Sequence, residues 1–420
     1  MESLTNWAGN YTFGAARLHR PETLAQLHYV VRHCHKARVI GARHSFNGIA
    51  DSLEDLISLE NMPHTAMLDR ERGTVTVDAA TRYGTLARYL HGQGYALRNL
   101  ASLPHISVAG ACATATHGSG DGNGNLATAV AGMELVTANG EVRAVSRERD
   151  GDQFDGMVVA LGSLGVVTTL TLDVVPTFEV CQYVYENLPF AALLANFDEV
   201  EANAYSVSLF TQWQDDMISQ IWLKRLVSTE IGEYPVPELF GATLATAPRH
   251  PLATMPADNC TEQMGVPGPW HERLTHFRMD FTPSAGEELQ SEYFVPRPHA
   301  REAFRAINHL RERLAPVLHI SEVRTIAPDS LWLSPCYGRA CVAFHFTWKK
   351  DWDGVRKVLP LIEAEIAPFD ARPHWGKLFT MSPAHLQSLY PKLSDFQQML
   401  TRFDPSGKFR NEFMDTYILG

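Results

Sequence analysis

Residues 99–133 carry one formal charge, Asp121, in 35 positions, and no other feature limits what this chain can fold into so sharply. A run that poor in charge belongs either in a bilayer or in the interior of a folded protein. Pro104, His105, His117 and repeated glycines exclude the bilayer, where one uninterrupted helix must satisfy its own backbone. Within residues 101–120, Ala, Gly, Ser and Thr fill 13 of 20 positions, so the backbone can approach a partner closely while presenting N–H groups and hydroxyls. A large polar ligand and a set of tightly packed turns both satisfy that composition. The spaced Gly118, Gly120, Gly122 and Gly124 are no dinucleotide fingerprint, because no strand leads in and no helical pattern follows at once.

The flanking sequence reads as alternating helices and strands through the first ~175 residues. Leu24, Leu27, Val30, Val31 and Cys34 keep helical period after Pro21, and Val39-Ile40 start a strand. A strand at 74–77 precedes an amphipathic helix at 83–90 with Gly94 as its C-cap, and Asn139-Gly140 turns a hairpin. The charge-poor residues 156–172 read as two short strands around Gly162 and Gly165. Beyond Pro176, alternating stretches at 205–210 and 221–224 predict an antiparallel sheet, with helices at 300–314 and 355–367 covering one face. Residues 232–269, rich in Pro, Gly and Ala, read as a surface excursion.

The length of 420 residues favours two domains, and a net charge of 36 − 47 = −11 disfavours nucleic acid and anionic membrane surfaces as partners. Six cysteines without CxxC or metal spacing read as reduced thiols. An acidic N-terminus without an apolar stretch predicts a cytoplasmic address. His33-Cys34-His35, late in a helix, is better explained by packing than by metal, so no metal site is expected. A serine hydrolase is disfavoured because no Gly-x-Ser-x-Gly element occurs.

Gly41-Ala42-Arg43-His44-Ser45-Phe46-Asn47 forms a tight turn after the strand ending at Ile40, and its backbone N–H groups suit a pyrophosphate. A lone histidine in such a turn is by default a surface or capping residue. This segment and residues 101–120, about 60 apart, are followed by Gln290-Ser291-Glu292-Tyr293, Glu322-Val323-Arg324-Thr325, His345-Phe346-Thr347-Trp348, His374-Trp375-Gly376-Lys377 and Gly407-Lys408-Phe409. In that order they closely resemble the alditol oxidases, flavoproteins of the vanillyl-alcohol-oxidase (PCMH) type and near kin of the aldonolactone oxidases. The resemblance runs from Asn6-Trp7-Ala8-Gly9-Asn10 to the C-terminus.

The resemblance implies an α+β, two-domain FAD-binding fold: an FAD domain at 1–175, a substrate domain of antiparallel sheet and helices at 176–380, and a segment at 381–420 returning to the first. It implies FAD held covalently through His44, with the rest of 41–47, Ser102, Ser107, Gly110, Thr114, Ala115, Thr116, His117, Val167 and His374 around it. Arg43, where relatives often carry a small residue, is expected to meet the pyrophosphate. Glu322 and Arg324, and likewise His345 and Thr347, are two apart and share strand faces, and with Lys377 they are expected to form a polyol-binding roof, while Ser102, at the opening of the second loop, is expected to touch substrate hydroxyls near the flavin. Glu322 would accept from substrate hydroxyls. Arg324 and Lys377 would stabilise developing alkoxide charge, and His345 would be the base. The implied reaction oxidises the terminal hydroxyl of a small alditol of xylitol, sorbitol or glycerol type and reduces O2 to hydrogen peroxide. The alternatives are an aldonolactone oxidase of the same architecture and a flavin-binding protein without turnover. The chain is expected to act as a monomer.

Overall fold

The computed structural model describes residues 4–227, 234–280 and 287–420. A three-stranded parallel sheet pairs Arg17–His19 and Ala37–Ile40 on either side of Asp55–Ser58. The helix Leu24–His33 links the first two of these strands, and its N-cap Thr23 accepts from the Gln26 amide. A five-stranded antiparallel sheet follows, in the order Ala66–Asp69, Thr74–Asp78, Val166–Asp173, Val130–Val136, Val142–Ser146. The helix Tyr83–Gly92 packs beside it through Leu86, Ala87 and Leu90. Gly140, at φ +81°, closes the hairpin of the last two strands in a left-handed conformation that favours glycine.

One expectation fails here. The first part of residues 156–172 is not a strand, because Asp152–Val158 is helical. Asp152 and Asp155 in its first turn suit a helix N-terminus. Gly156 is there for closeness, since a Cβ would lie 2.4 Å from the Trp332 ring.

The C-terminal half is built on a ten-stranded sheet. Its centre runs Met217–Leu226, Ser206–Thr211, Leu318–Ile326, Cys341–Lys349, Glu288–Pro296, all antiparallel. Alternation along these strands gives it two unlike faces. Tyr293 and Phe344 face the helices Ala300–His309 and Trp352–Ile366, where the Tyr293 hydroxyl donates to Glu363 at 2.9 Å and Phe344 meets Phe304 edge-on at 4.9 Å. Glu292, His345 and Glu322 sit side by side in register on the other face. The expected helix at 300–314 is two pieces, broken at Leu310.

Residues 234–269 are more than a surface excursion, and positions 232–233 lie outside the described residues. Ala242–Leu244 and Gly268–Pro269 add strands to the large sheet, and His250, Leu252, Met255 and Asn259 reach the cavity described below.

The chain end returns to the parallel sheet. Ala37 N donates to Lys408 O at 2.9 Å, and the buried Arg38 guanidinium donates to the carbonyls of Phe409, Gly162, Leu161 and Ile49. One cation answering four carbonyls fixes three distant segments at the floor of the site. Among the described residues, no helix is long and apolar enough to cross a membrane.

Candidate active site

A cavity of about 330 Å³ lies between the two halves, within the range of roughly 300–1,000 Å³ usual for ligand pockets. Its floor is the loop 41–47 with residues of 101–117, and its roof is the polar face of the large sheet.

The floor loop is polarised. Its carbonyls are held from behind: Arg43 O by Trp7 N at 2.9 Å, Ser45 O by Asn6 Nδ2 at 2.8 Å and Phe46 O by Asn10 Nδ2 at 2.9 Å. Among the described residues, the backbone amides of Ala42, Arg43, His44 and Ser45 have no hydrogen-bond partner. Arg43 at φ +60° gives the turn the concave shape in which consecutive amides gather an anion. The Arg43 guanidinium is turned away and donates to Thr5 O at 3.1 Å, so the backbone, not this side chain, offers positive charge. Asn47 anchors the loop through Trp375 O and Lys377 O.

His44 stacks on Trp7 at 5.2 Å, and its ring makes no hydrogen bond among the described residues. Burial, aided by His105, Arg82 and Arg43, pushes its pKa down to about 4. The ring is therefore neutral near pH 7, with a free nitrogen lone pair. The opposite floor segment is shaped by small groups: a Cβ on Gly41 or on Gly110 would lie 2.3 or 2.8 Å from Ser107 Oγ. An anion cradle, a neutral imidazole and a close-fitting wall of glycine and hydroxyl groups suit a nucleotide cofactor such as FAD.

The roof is organised around Glu292, only 1% exposed. Its Oε1 accepts from Arg324 Nη2 at 3.0 Å and its Oε2 from Lys377 Nζ at 2.8 Å, while His117 Nε2 lies 3.2 Å from Oε1. Burial alone would raise this carboxyl's pKa. Lys377, His117 and Arg324 hold it well below the usual carboxylate range instead. Arg324 Nη1 also donates to Ser102 Oγ at 3.1 Å, joining roof to floor. Lys377 Nζ lies 2.7 Å from His345 Nδ1, and His345 Nε2 lies 3.1 Å from Thr347 Oγ1. Burial and Lys377 push the His345 pKa down to about 3. With Nδ1 accepting from an ammonium, the single ring proton is on Nε2 and donates to Thr347.

The structure thus gathers on one cavity nearly every residue expected there: 41–47, Ser102, Ser107, Gly110, Thr114, Thr116, His117, Glu322, Arg324, His345, Thr347, His374 and Lys377. Two expected residues are not on its wall. Ala115, at φ +54°, is buried in the turn that brings Thr114 and Thr116 hydroxyls within 3.1 Å. Val167 is half-buried on the five-stranded sheet, paired with Leu135 and packed against the core. The sequence reading missed Glu292, the group that orders the roof, and His276, whose Nε2 lies 2.7 Å from Glu322 Oε1. Two-residue alternation from Gln290 was the available signal for Glu292, whereas His276 lies on a loop that no periodicity marks.

His33, Cys34 and His35 do not converge on one point. His33 turns to Tyr29 O and His35 to Glu54. Cys34 does lie near His19 and Asp55, but Arg17 takes both oxygens of that carboxylate at 2.6 and 2.7 Å. All six cysteines are free thiols.

Comparison with known proteins agrees with this geometry. The family described as FAD binding domain matches residues 15–146, and that described as D-arabinono-1,4-lactone oxidase matches residues 282–417. An alditol oxidase of Streptomyces sp. is 50% identical, covering 100% of this chain and 99% of the relative. The chain belongs to the alditol oxidase family. It is an oxidoreductase and a flavoprotein of the vanillyl-alcohol-oxidase type, close to the lactone enzymes. An L-gulono-1,4-lactone dehydrogenase of Mycobacterium tuberculosis is 28% identical over 97% of both chains. The solved cholesterol oxidase from B. sterolicum superposes with a TM-score of 0.80 at 14% identity, covering 99% of this chain and 96% of that one, which shows the shared fold. The α+β FAD-binding architecture is thereby established for this alditol oxidase family member.

Proposed function

We propose that the protein oxidises the terminal CH₂OH of a small alditol to the aldose, with dioxygen reduced to hydrogen peroxide (RCH₂OH + O₂ → RCHO + H₂O₂). The observation that carries this reading is the pair of cations, Arg324 and Lys377, both held by the buried carboxylate of Glu292 on the cavity wall opposite the polarised loop. FAD, when bound, would supply the acceptor for the hydride leaving the alcohol carbon and the route of its electrons to dioxygen.

The side chains do the rest. Arg324 and Lys377 face the reacting oxygen and stabilise the alkoxide character it gains as its proton leaves. Their positions are fixed beforehand by Glu292 and Ser102, so no reorganisation is needed at the moment of reaction. His345 lines the same cavity with Nδ1 accepting from the Lys377 ammonium, so it acts as the base only by relay: Lys377 passes a proton to Nδ1 as it takes the one leaving the substrate, an uphill transfer for a ring whose pKa is pushed down to about 3. Glu322, Thr347 and Ser102 offer acceptors and hydroxyls to the remaining substrate hydroxyls. Such a site rejects analogues that would leave its buried polar groups unpaired.

In this reading residues 1–175 and 381–420 hold the cofactor, and 176–380 roof it. His44, with its neutral ring, is the attachment point of a covalent flavin. Acid-precipitated wild-type protein is expected to give a yellow pellet and His44→Ala a colourless one; flavin retained by the precipitated variant would sink the linkage at this residue.

A second reading, an aldonolactone oxidase, is favoured by the family match over residues 282–417. Peroxide formation with xylitol beside gulonolactone and galactonolactone separates the two, and a lactone preference would overturn the alditol reading. A flavin-binding protein without turnover would show no bleaching with either class.

A further inference from the structure

Behind Glu322 lies a buried chain of polar groups to which the reaction scheme above gives no part. Lys224, on the strand Met217–Leu226, is 1% exposed. Its Nζ donates to Leu274 O at 2.6 Å and Thr275 O at 3.1 Å, and lies 2.8 Å from His276 Nδ1. Three acceptors around one nitrogen match the three N–H bonds of an ammonium, which has nothing to accept with. Burial pushes the Lys224 pKa down to about 7; in its ammonium form it leaves His276 Nδ1 the lone pair, and the single ring proton then sits on Nε2, facing the Glu322 carboxylate, which only accepts. That nitrogen lies 2.7 Å from Glu322 Oε1, with Ser208 Oγ at 3.5 Å. Burial and the Lys224 charge push the His276 pKa down to about 4, which keeps the ring neutral.

His276 is held through both its backbone and its ring. His276 N donates to Ser102 O at 3.1 Å, and the imidazole meets Phe210 and Trp222 edge-on at 5.7 and 5.1 Å. Arg324 Nε also approaches Glu322 Oε1, at 3.4 Å. Both neighbours address the same oxygen. Glu322 Oε2 has no partner among the described residues, and Glu322 lines the cavity.

We propose that Lys224 and His276 are positioning residues for substrate recognition: Lys224 fixes the His276 tautomer, and the Nε2–H so placed occupies Glu322 Oε1, leaving Oε2 as an ionised acceptor aimed at one internal hydroxyl of the polyol. The proposal rests on the reading of Glu322 as a substrate-hydroxyl acceptor. It makes the discrimination between a polyol and its deoxygenated analogue depend on two residues, one of which, Lys224, lies outside the cavity lining.

The test compares kcat and KM on xylitol and on 1,2-pentanediol, which keeps the reacting end and lacks the internal hydroxyls beyond it. The flavin content of every variant is measured alongside. In His276→Phe, whose ring fits the same aromatic clamp, kcat/KM on xylitol is expected to fall roughly tenfold or more, chiefly through KM, with little change on the diol. Lys224→Met is expected to move the same way. His276→Gln is expected to recover most of the loss, because its carbonyl accepts from Lys224 and its amide donates to Glu322. Equal losses on both substrates, or a Gln variant as poor as the Phe one, would overturn the relay. A wild-type enzyme that does not prefer xylitol over the diol would instead overturn the reading of Glu322, so the two failures are distinguishable.

Discussion

Glu292→Gln isolates the group on which the roof depends. The substitution keeps the shape and one acceptor oxygen but removes a charge that, alone among the described residues, touches both Lys377, at 2.8 Å, and Arg324, at 3.0 Å. Both cations are largely buried, at 14% and 6% side-chain exposure, so the loss leaves two desolvated positive groups with Glu322 as their remaining near counter-charge. Breaking a buried ion pair by removing one partner costs about 3–5 kcal/mol, and the retained amide oxygen should place this variant near the lower end. There is also a consequence for protonation. Burial lowers the Lys377 pKa and Glu292 opposes that lowering. With Glu292 neutral, the ammonium loses its proton at a lower pH. Peroxide-coupled turnover on xylitol, measured across neutral and alkaline buffers, should show kcat/KM down about 10²–10³-fold, the scale of losing one preorganised donor, with the alkaline limb moved to lower pH. Urea unfolding of the same samples supplies the stability arm. Activity within threefold of wild type, an unmoved alkaline limb and an unfolding free energy changed by less than about 1 kcal/mol would together refute the view that Glu292 holds these cations in place.

Asp55 provides a stability test far from the chemistry. The hydrogen bond from Arg17, above all, holds its pKa at about 2 against an ordinary 3.8. A depressed carboxylate pKa contributes stability that is present above about pH 4 and lost as pH falls towards 2. Because Arg17 is 61% exposed, the contribution is taken as about 1–2 kcal/mol. Asp55→Asn should therefore be destabilised at neutral pH, and the gap to wild type should close across that acid window; a gap independent of pH would contradict the pairing. Gly118→Ala places a Cβ 2.3 Å from the Leu100 carbonyl and 2.2 Å from Asn99 Oδ1, so a loss of about 3 kcal/mol and a lower flavin content are expected. Gly92, whose Cβ would meet nothing within 4 Å, is the control: Gly92→Ala at the end of its helix should stabilise by about 0.5 kcal/mol. Equal melting points for the two alanine variants would refute the packing argument.

What the sequence made legible, and what it hid, divides along a physical line. Local periodicity reached the same-face pairs Glu322 with Arg324 and His345 with Thr347, because alternation within one strand is encoded in that strand. Composition reached the floor, since a backbone approached closely by a ligand must be made of small residues wherever it sits in the chain. Neither rule carries register between strands. That Glu292 stands opposite His345, which itself stands opposite Glu322, follows from the pairing of three strands whose order in the sheet differs from their order in the chain. Glu292 stands inside the motif Gln290-Ser291-Glu292-Tyr293, and nothing in those four residues marks it as the group balancing two cations. Lys224 and His276 were further out of reach, being joined only through the fold of a Pro-rich connection that composition alone describes as surface. The misread helix Asp152–Val158 has the same origin: Gly156 looks like a strand terminus until the Trp332 ring is placed against it. Groups expected to meet the ligand show their chemistry locally, whereas the groups holding them in place act through tertiary contacts that no short window of sequence contains.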